Sequence, residues 1–217
     1  TSYIVLAREV MATRHKGKPF RIDQASFLAF LFLDDPTVTV LQRLSLDNAT
    51  DMLTISSCTT ENAALQTHAE MRVRKMEPRT EPPLDIAAAQ ARCPRVVEKR
   101  EFYATIGNNY QDEFKTVERA WVRGGAVGGE CVAKIDFGHT NTDPFLRGGA
   151  WLDACNQPGA LMSQDDPTSE SCWPLFMLGR PYYAAAIQAY EVHDTDMRQS
   201  ATMWGHHFSP TPNGDPS

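Results

Sequence analysis

The chain has 217 residues, a net charge of −6 and an isoelectric point near 5.5. That acidity argues against nucleic acid as a main partner, because phosphate binding needs clustered Lys and Arg, and no apolar run approaches the roughly 20 residues of a membrane span. With 42% hydrophobic and 22% charged residues, it suits one large globular domain or two small ones.

Residues 2–13 read as a helix, since Tyr3, Ile4, Ala7, Val10 and Met11 recur at spacings of three and four and Ser2 can cap the start. The Lys16-Gly-Lys-Pro19 stretch ends it. Residues 20–33 are apolar and extended, with Asp34-Asp-Pro36 as a turn. Strands are predicted at 37–46, 51–59 and 65–76. In the last, Thr67, Ala69, Met71 and Val73 share one face, and Gln66, His68, Glu70 and Arg72 share the other. Short turns such as Asp47-Asn48 favour antiparallel pairing. Residues 77–83 hold three prolines and read as a linker. A short helix at 84–91, a helix at 99–106, a turn at 107–110 and strands at 115–122 and 129–137 follow. Asp153 then opens a helix to 162 as its N-cap, with Gln157 four residues on and so on the same face. Residues 164–171 form a polar loop, and 182–191 and 200–208 are extended or mixed. The pattern is α+β: one helix plus strands, twice, with units at 1–76 and 98–217 joined by a linker at 77–97.

Five widely spaced cysteines without a CxxC suggest neither a zinc site nor a disulfide framework. Reduced thiols in a cytoplasmic protein are expected. Without an initiator Met or a signal peptide, and starting inside a helical pattern, the chain reads as a piece of something longer. Gly124-Gly125 and Gly128-Gly129 lie between two strands without a following GK[ST], so they mark a hairpin rather than a phosphate loop. No serine sits in G-x-S-x-G. His206 and His207 are adjacent in a strand and point to opposite faces, which disfavours a shared metal even with Asp194 and Asp196 near in sequence. His68 is expected at the surface or packed on a ring. His139 is the one histidine whose sequence position lets it approach Asp153.

Phe102-Tyr103, then Gly107-Asn-Asn-Tyr110-Gln-Asp-Glu-Phe114, then the Leu-Asp153-Ala-Cys-Asn-Gln157 segment, resemble the second half of a polyketide synthase dehydratase domain, which typically reads FY, G-x-x-Y-G-P-x-F and H-P-x-x-L-D-x-x-x-Q. The first half is similar too, with Thr67-His68-Ala69 matching an H-A segment. The resemblance implies a double hot dog fold, two units each with a helix wrapped by an antiparallel sheet. It also implies removal of water from a β-hydroxyacyl thioester carried on the phosphopantetheine arm of acyl carrier protein, with no cofactor bound directly. Asp153 would be the general acid, Gln157 its orienting partner, and Tyr110 and Phe114 substrate-binding residues. Acyl carrier protein, neighbouring synthase domains and a second copy in a homodimer are the implied partners. The chain departs from the pattern in places. No H-x-x-x-G-x-x-x-x-P motif, which carries the family's catalytic base, occurs in it. Gln111-Asp112 replace Gly-Pro, and Gly148-Gly149 replace His-Pro. The first and last strands of the family are expected to be missing. A product-template cyclase, a pyran-forming or double-bond-shifting relative, and an inactive dehydratase-like scaffold stay open as alternatives.

Overall fold

The computed structural model describes residues 2–15, 18–31, 37–60, 63–77, 82–106, 110, 114–125, 128–138, 144–164, 186–192 and 202–208. In chain order the elements are α1 (Ser2–His15), β1 (Phe20–Phe27), β2 (Leu41–Asp47), β3 (Met52–Cys58), β4 (Gln66–Lys75), α2 (Ile86–Arg92), β5 (Arg95–Glu98), α3 (Lys99–Thr105), β6 (Val117–Arg123), β7 (Glu130–Asp136), α4 (Pro144–Gln164), β8 (Ala186–Val192) and β9 (Thr202–Phe208). They divide into two compact units, one of Ser2–Glu81 with Tyr183–Met197, the other chiefly of Pro82–Tyr182 with Arg198–Ser217. No described helix is long and apolar enough to cross a membrane.

The first unit is an antiparallel sheet in the order β2-β3-β4-β1-β8. Helix α1 supplies its apolar face: Ile4, Ala7 and Met11, spaced one turn apart, are buried together with Phe20, Ile22, Leu53, Ile55, Met71 and Val73 of the strands. Two bulges break the ladder. One extra residue enters β1 between Asp23 and Ser26, where Gln24 takes φ 52°, and one enters β4, where Ile55 pairs with Ala69 but Ser56 with Thr67. The expected turn after β2 is closed by Asp47, whose carboxylate accepts from Thr50 Oγ1 at 2.7 Å and Ala49 N at 2.9 Å. Those bonds, the Thr50 hydroxyl's foremost, hold its carboxyl below the usual range.

Strand β8 pairs with β1, from Phe20↔Val192 to Ser26↔Ala186. The division expected from the sequence put residues 98–217 in the second unit; these seven belong to the first. Alternation marks a strand but does not say which free edge will take up its backbone N–H and C=O groups.

The second unit is an antiparallel sheet in the order β5-β6-β7-β9, with Val97, Ala120, Val122, Val132 and Ile135 in its core beside Phe102 of α3 and Leu161 of α4. Strand β5 lies partly inside the stretch expected to be linker. Asp85 caps α2, accepting from Ala88 N at 3.0 Å. The glycine pairs do lie between two paired strands, β6 and β7, with Gly128 at φ 69°.

Helix α4 corrects the expected start at Asp153. It begins at Pro144, nine residues earlier, so Asp153 is an interior residue and not an N-cap. Proline suits a first helical position, because its missing N–H has no helical acceptor to lose. Gly148 and Gly149 each cost about 1 kcal/mol in a helix, so the letters there do not read as one. Pro158 lies within the same helix, and its ring disturbs the carbonyls of the preceding turn. There His207 Nε2–H of β9 donates to the Cys155 carbonyl.

Burial holds His207 below the usual imidazole range, outweighing the bond to Cys155. An unfolded chain therefore takes up a proton near pH 6.5 that the folded chain refuses. The stability present above that pH is lost as pH falls through it. Chemical denaturation of the parent should show a falling midpoint from about pH 6.5 to 5, and His207→Gln should flatten that slope.

Candidate functional site

The resemblance singled out Asp153, Gln157, Tyr110 and Phe114, and within the second unit the described residues bring parts of all four together. Helix α4 sets Asp153 and Gln157 one turn apart on one face, and Gln157 Nε2 donates to Asp153 Oδ2 at 2.9 Å. Gln157 is 2% exposed, whereas Asp153 is only half-buried. The amide is thus a fixed internal group, and the carboxyl is the one that solvent or a ligand can reach.

The loop after α3 meets this pair through its backbone. Gln157 Nε2 also donates to the Phe114 carbonyl, at 3.0 Å. Phe114 enters the cluster by its main chain, so the ring assigned to substrate binding is not the part that touches Gln157. Tyr110 lies edge-on to Tyr103, ring centroids 5.8 Å apart.

Tyr103 is the member that the sequence reading missed as a site residue. Its hydroxyl reaches Gln157 Oε1 at 2.9 Å and the Phe114 carbonyl at 3.2 Å, and it accepts from Val117 N–H at 2.9 Å. Burial pushes its phenol well above the usual tyrosine range, with the Val117 bond opposing and Tyr110 and Asp153 adding to the rise. The FY pair was visible as a motif, but no local spacing ties Tyr103 to a glutamine 54 residues away.

Chemically, the cluster is a carboxyl steadied at one oxygen by a buried amide. Among the described residues no group of three His, Cys, Asp or Glu side chains could hold a metal ion. The two adjacent histidines do part ways: His206 Nε2 donates to Glu130 Oε1 at 2.8 Å, while His207 turns to α4. His139, Asp194 and Asp196 lie outside the described residues. Of the two settings expected for His68, at the surface or packed on a ring, the structure shows the second. The residue is 1% exposed, stacks on Tyr3 at 5.9 Å, donates from Nδ1 to the Ala29 carbonyl at 3.3 Å and meets the Ser57 hydroxyl at 2.7 Å. The bulge in β4 falls on this residue and departs there from the simple alternation that set it with Gln66, Glu70 and Arg72.

Of the described cysteines, Cys93 and Cys131 are buried and Cys58 and Cys155 are half-buried. Burial pushes the thiols of Cys131 and Cys155 up to about 12. Neither should be carboxymethylated at pH 8 in the native protein, and both should react once urea unfolds it; mass analysis of the labelled peptides checks this.

No protein-family model matches the chain, and no curated protein matches it by sequence. Solved structures do match. The dehydratase domain from the CurF module of curacin polyketide synthase superimposes with a TM-score of 0.72 at 17% identity, covering 94% of this chain and 71% of that one. The CurK dehydratase, solved as inactive mutants carrying an aspartate-to-asparagine or a histidine-to-phenylalanine replacement, gives 0.67 at 17% and 18% identity, covering 97% and 71%. The dehydratase domain of RzxB from Pseudomonas fluorescens gives 0.63 at 20% identity, covering 94% and 71%. The chain thus spans about seven tenths of the length of these structures, and its fold is theirs: an α+β double hot dog.

Proposed function

We propose that this chain is part of a polyketide synthase dehydratase, a hydro-lyase that removes water from a β-hydroxyacyl thioester on acyl carrier protein. The observation that carries the reading is the Gln157–Asp153 pair at 2.9 Å on one helix of a fold shared with such domains. In this reaction a base takes the α proton, which the thioester acidifies, and an acid protonates the departing β-hydroxyl. Asp153 serves as that acid and Gln157 orients it. Tyr110 and Phe114 flank the acyl chain. The aspartate-to-asparagine replacement that leaves the CurK dehydratase inactive supports giving the acid role to an aspartate. The base is assigned to no residue of this chain, since the histidine motif is not among its 217 residues.

Acyl carrier protein and neighbouring synthase domains are the partners this reading requires, with a homodimer as the assembly. The test is incubation of the full-length protein with a β-hydroxyacyl group loaded on acyl carrier protein. The expected result is an α,β-unsaturated product lighter by one water. A full-length protein that binds the loaded carrier without eliminating water would support the scaffold alternative instead.

A further inference from the structure

We propose that Tyr103 is a positioning residue: its hydroxyl fixes the Gln157 carboxamide so that the amide nitrogen, and not the oxygen, always faces the Asp153 carboxyl. The geometry stands by itself; its catalytic consequence rests on the dehydratase reading above.

The number of hydrogens on each group fixes the direction of every bond around Gln157. Gln157 is 2% exposed, so water cannot complete its bonding. Its Nε2 has two hydrogens and two acceptors in reach, the Phe114 carbonyl at 3.0 Å and Asp153 Oδ2 at 2.9 Å. Its Oε1 needs a donor, and the Tyr103 hydroxyl at 2.9 Å is one. That hydroxyl owns a single hydrogen and has two acceptors nearby. The Phe114 carbonyl is the farther, at 3.2 Å, and already takes a hydrogen from Gln157. The Tyr103 hydrogen therefore goes to Oε1, while Val117 N–H fills a lone pair of the phenol oxygen.

Every bond in this set then runs one way: from Val117 to Tyr103, from Tyr103 to Gln157, and from Gln157 to Phe114 and Asp153. Turning the amide over would set its oxygen against two acceptors, the Phe114 carbonyl and Asp153 Oδ2, and its NH₂ against the Tyr103 hydroxyl. Burial keeps the phenol protonated and so a donor across the working pH range. At the other end, Oδ2 is held as an acceptor. The carbonyl-type oxygen of a carboxylic acid is the better acceptor, so the transferable proton is directed to Oδ1. Without the Tyr103 hydroxyl, Oε1 loses its donor and the amide is held through its nitrogen alone, so a turned amide that presents its oxygen to the protonated acid is no longer opposed from the Tyr103 side. A carboxamide oxygen would hold the proton that the acid has to release.

The experiment uses Tyr103→Phe and, as a partner that keeps the hydroxyl and the fold, 3-fluorotyrosine at position 103. Tyr103→Phe in the full-length protein should lower kcat by about 10–100-fold with KM nearly unchanged, the range for loss of an orienting contact. In the 15N-labelled 217-residue chain it should also move the Gln157 carboxamide signals, assigned by their loss in Gln157→Ala. The fluorinated residue should retain activity and shift the same signals, because its more acidic hydroxyl is a stronger donor. That keeps the test decisive if the phenylalanine variant fails to fold. Carboxamide signals unmoved in the folded variants would overturn the proposal, as would a Tyr103→Phe protein whose kcat survives their displacement or whose defect is confined to KM. If the parent eliminates no water, the dehydratase reading fails by itself, and the carboxamide signals still decide whether Tyr103 orients Gln157.

Discussion

Asp153→Asn should reduce dehydration of a β-hydroxyacyl carrier substrate by about 10²–10⁴-fold in kcat, the contribution of a positioned general acid, while leaving the fold intact. The side chain keeps its size, and an asparagine oxygen still accepts from Gln157 Nε2 in the place of Asp153 Oδ2. Asp153 is half-buried, so the exchange strands no charge in the interior. What it removes is the proton that a departing hydroxide needs. Gln157→Ala should be milder in kcat but costlier in stability. It removes the amide that both the Tyr103 hydroxyl and the Phe114 carbonyl bond, leaving those two only each other at 3.2 Å, and costs about 1–3 kcal/mol. Rates with acyl carrier protein substrates and thermal melts of both variants separate the two roles. An Asp153→Asn protein turning over at the parent rate would remove Asp153 from the chemistry.

Glu130→Gln should cost about 2–3 kcal/mol of stability, more than most single changes. Glu130 is the buried member of an ionic cluster: Arg92 grips both of its oxygens, at 2.6 and 2.9 Å, Arg123 lies at 3.3 Å and His206 at 2.8 Å. Its side chain is 4% exposed while the two arginines are near 40%. The arginines keep water after the exchange, so the loss is that of charge-assisted bonds and not of a fully buried pair. Those bonds, Arg92 foremost, hold the Glu130 carboxyl below the usual range against the effect of burial. For a lowered carboxyl the stabilisation is complete above the unfolded value, near pH 4.3, and fades as pH falls through the folded one. Denaturation midpoints should therefore drop faster below about pH 4.3 in the parent than in Glu130→Gln. Equal acid sensitivity would remove Glu130 from that role.

What could be read from the letters was whatever depends on near neighbours. The spacing of Asp153 and Gln157 placed both on one helical face, the glycine pairs marked a hairpin, and the periodicities gave helix plus strands twice. The start of α4 was hidden because Pro144 and Gly148-Gly149 carry loop propensity, whereas the helix as a whole packs against β6, β7 and β9. Strand β5 was hidden beside prolines. The burial of His68 depends on a bulge, which period-two alternation does not register. Tyr103 shows the limit most plainly. Its importance lies in three bonds to residues 11, 14 and 54 positions away, and no pattern along the chain contains them.

The seating of β8 beside β1 bears on how the molecule is made. The first unit's sheet gains its last strand from residues near the far end of the sequence. On a ribosome, β1 would therefore wait with an open edge while the strands of the second unit emerge and begin to pair. Closing so long a loop is slow, and an open edge in the interval invites pairing with the wrong chain. The boundary between the two units is for this reason a feature of the finished structure rather than of the order of synthesis. Cutting the gene after the proline-rich stretch at 77–83 would yield a first unit lacking one of its own strands.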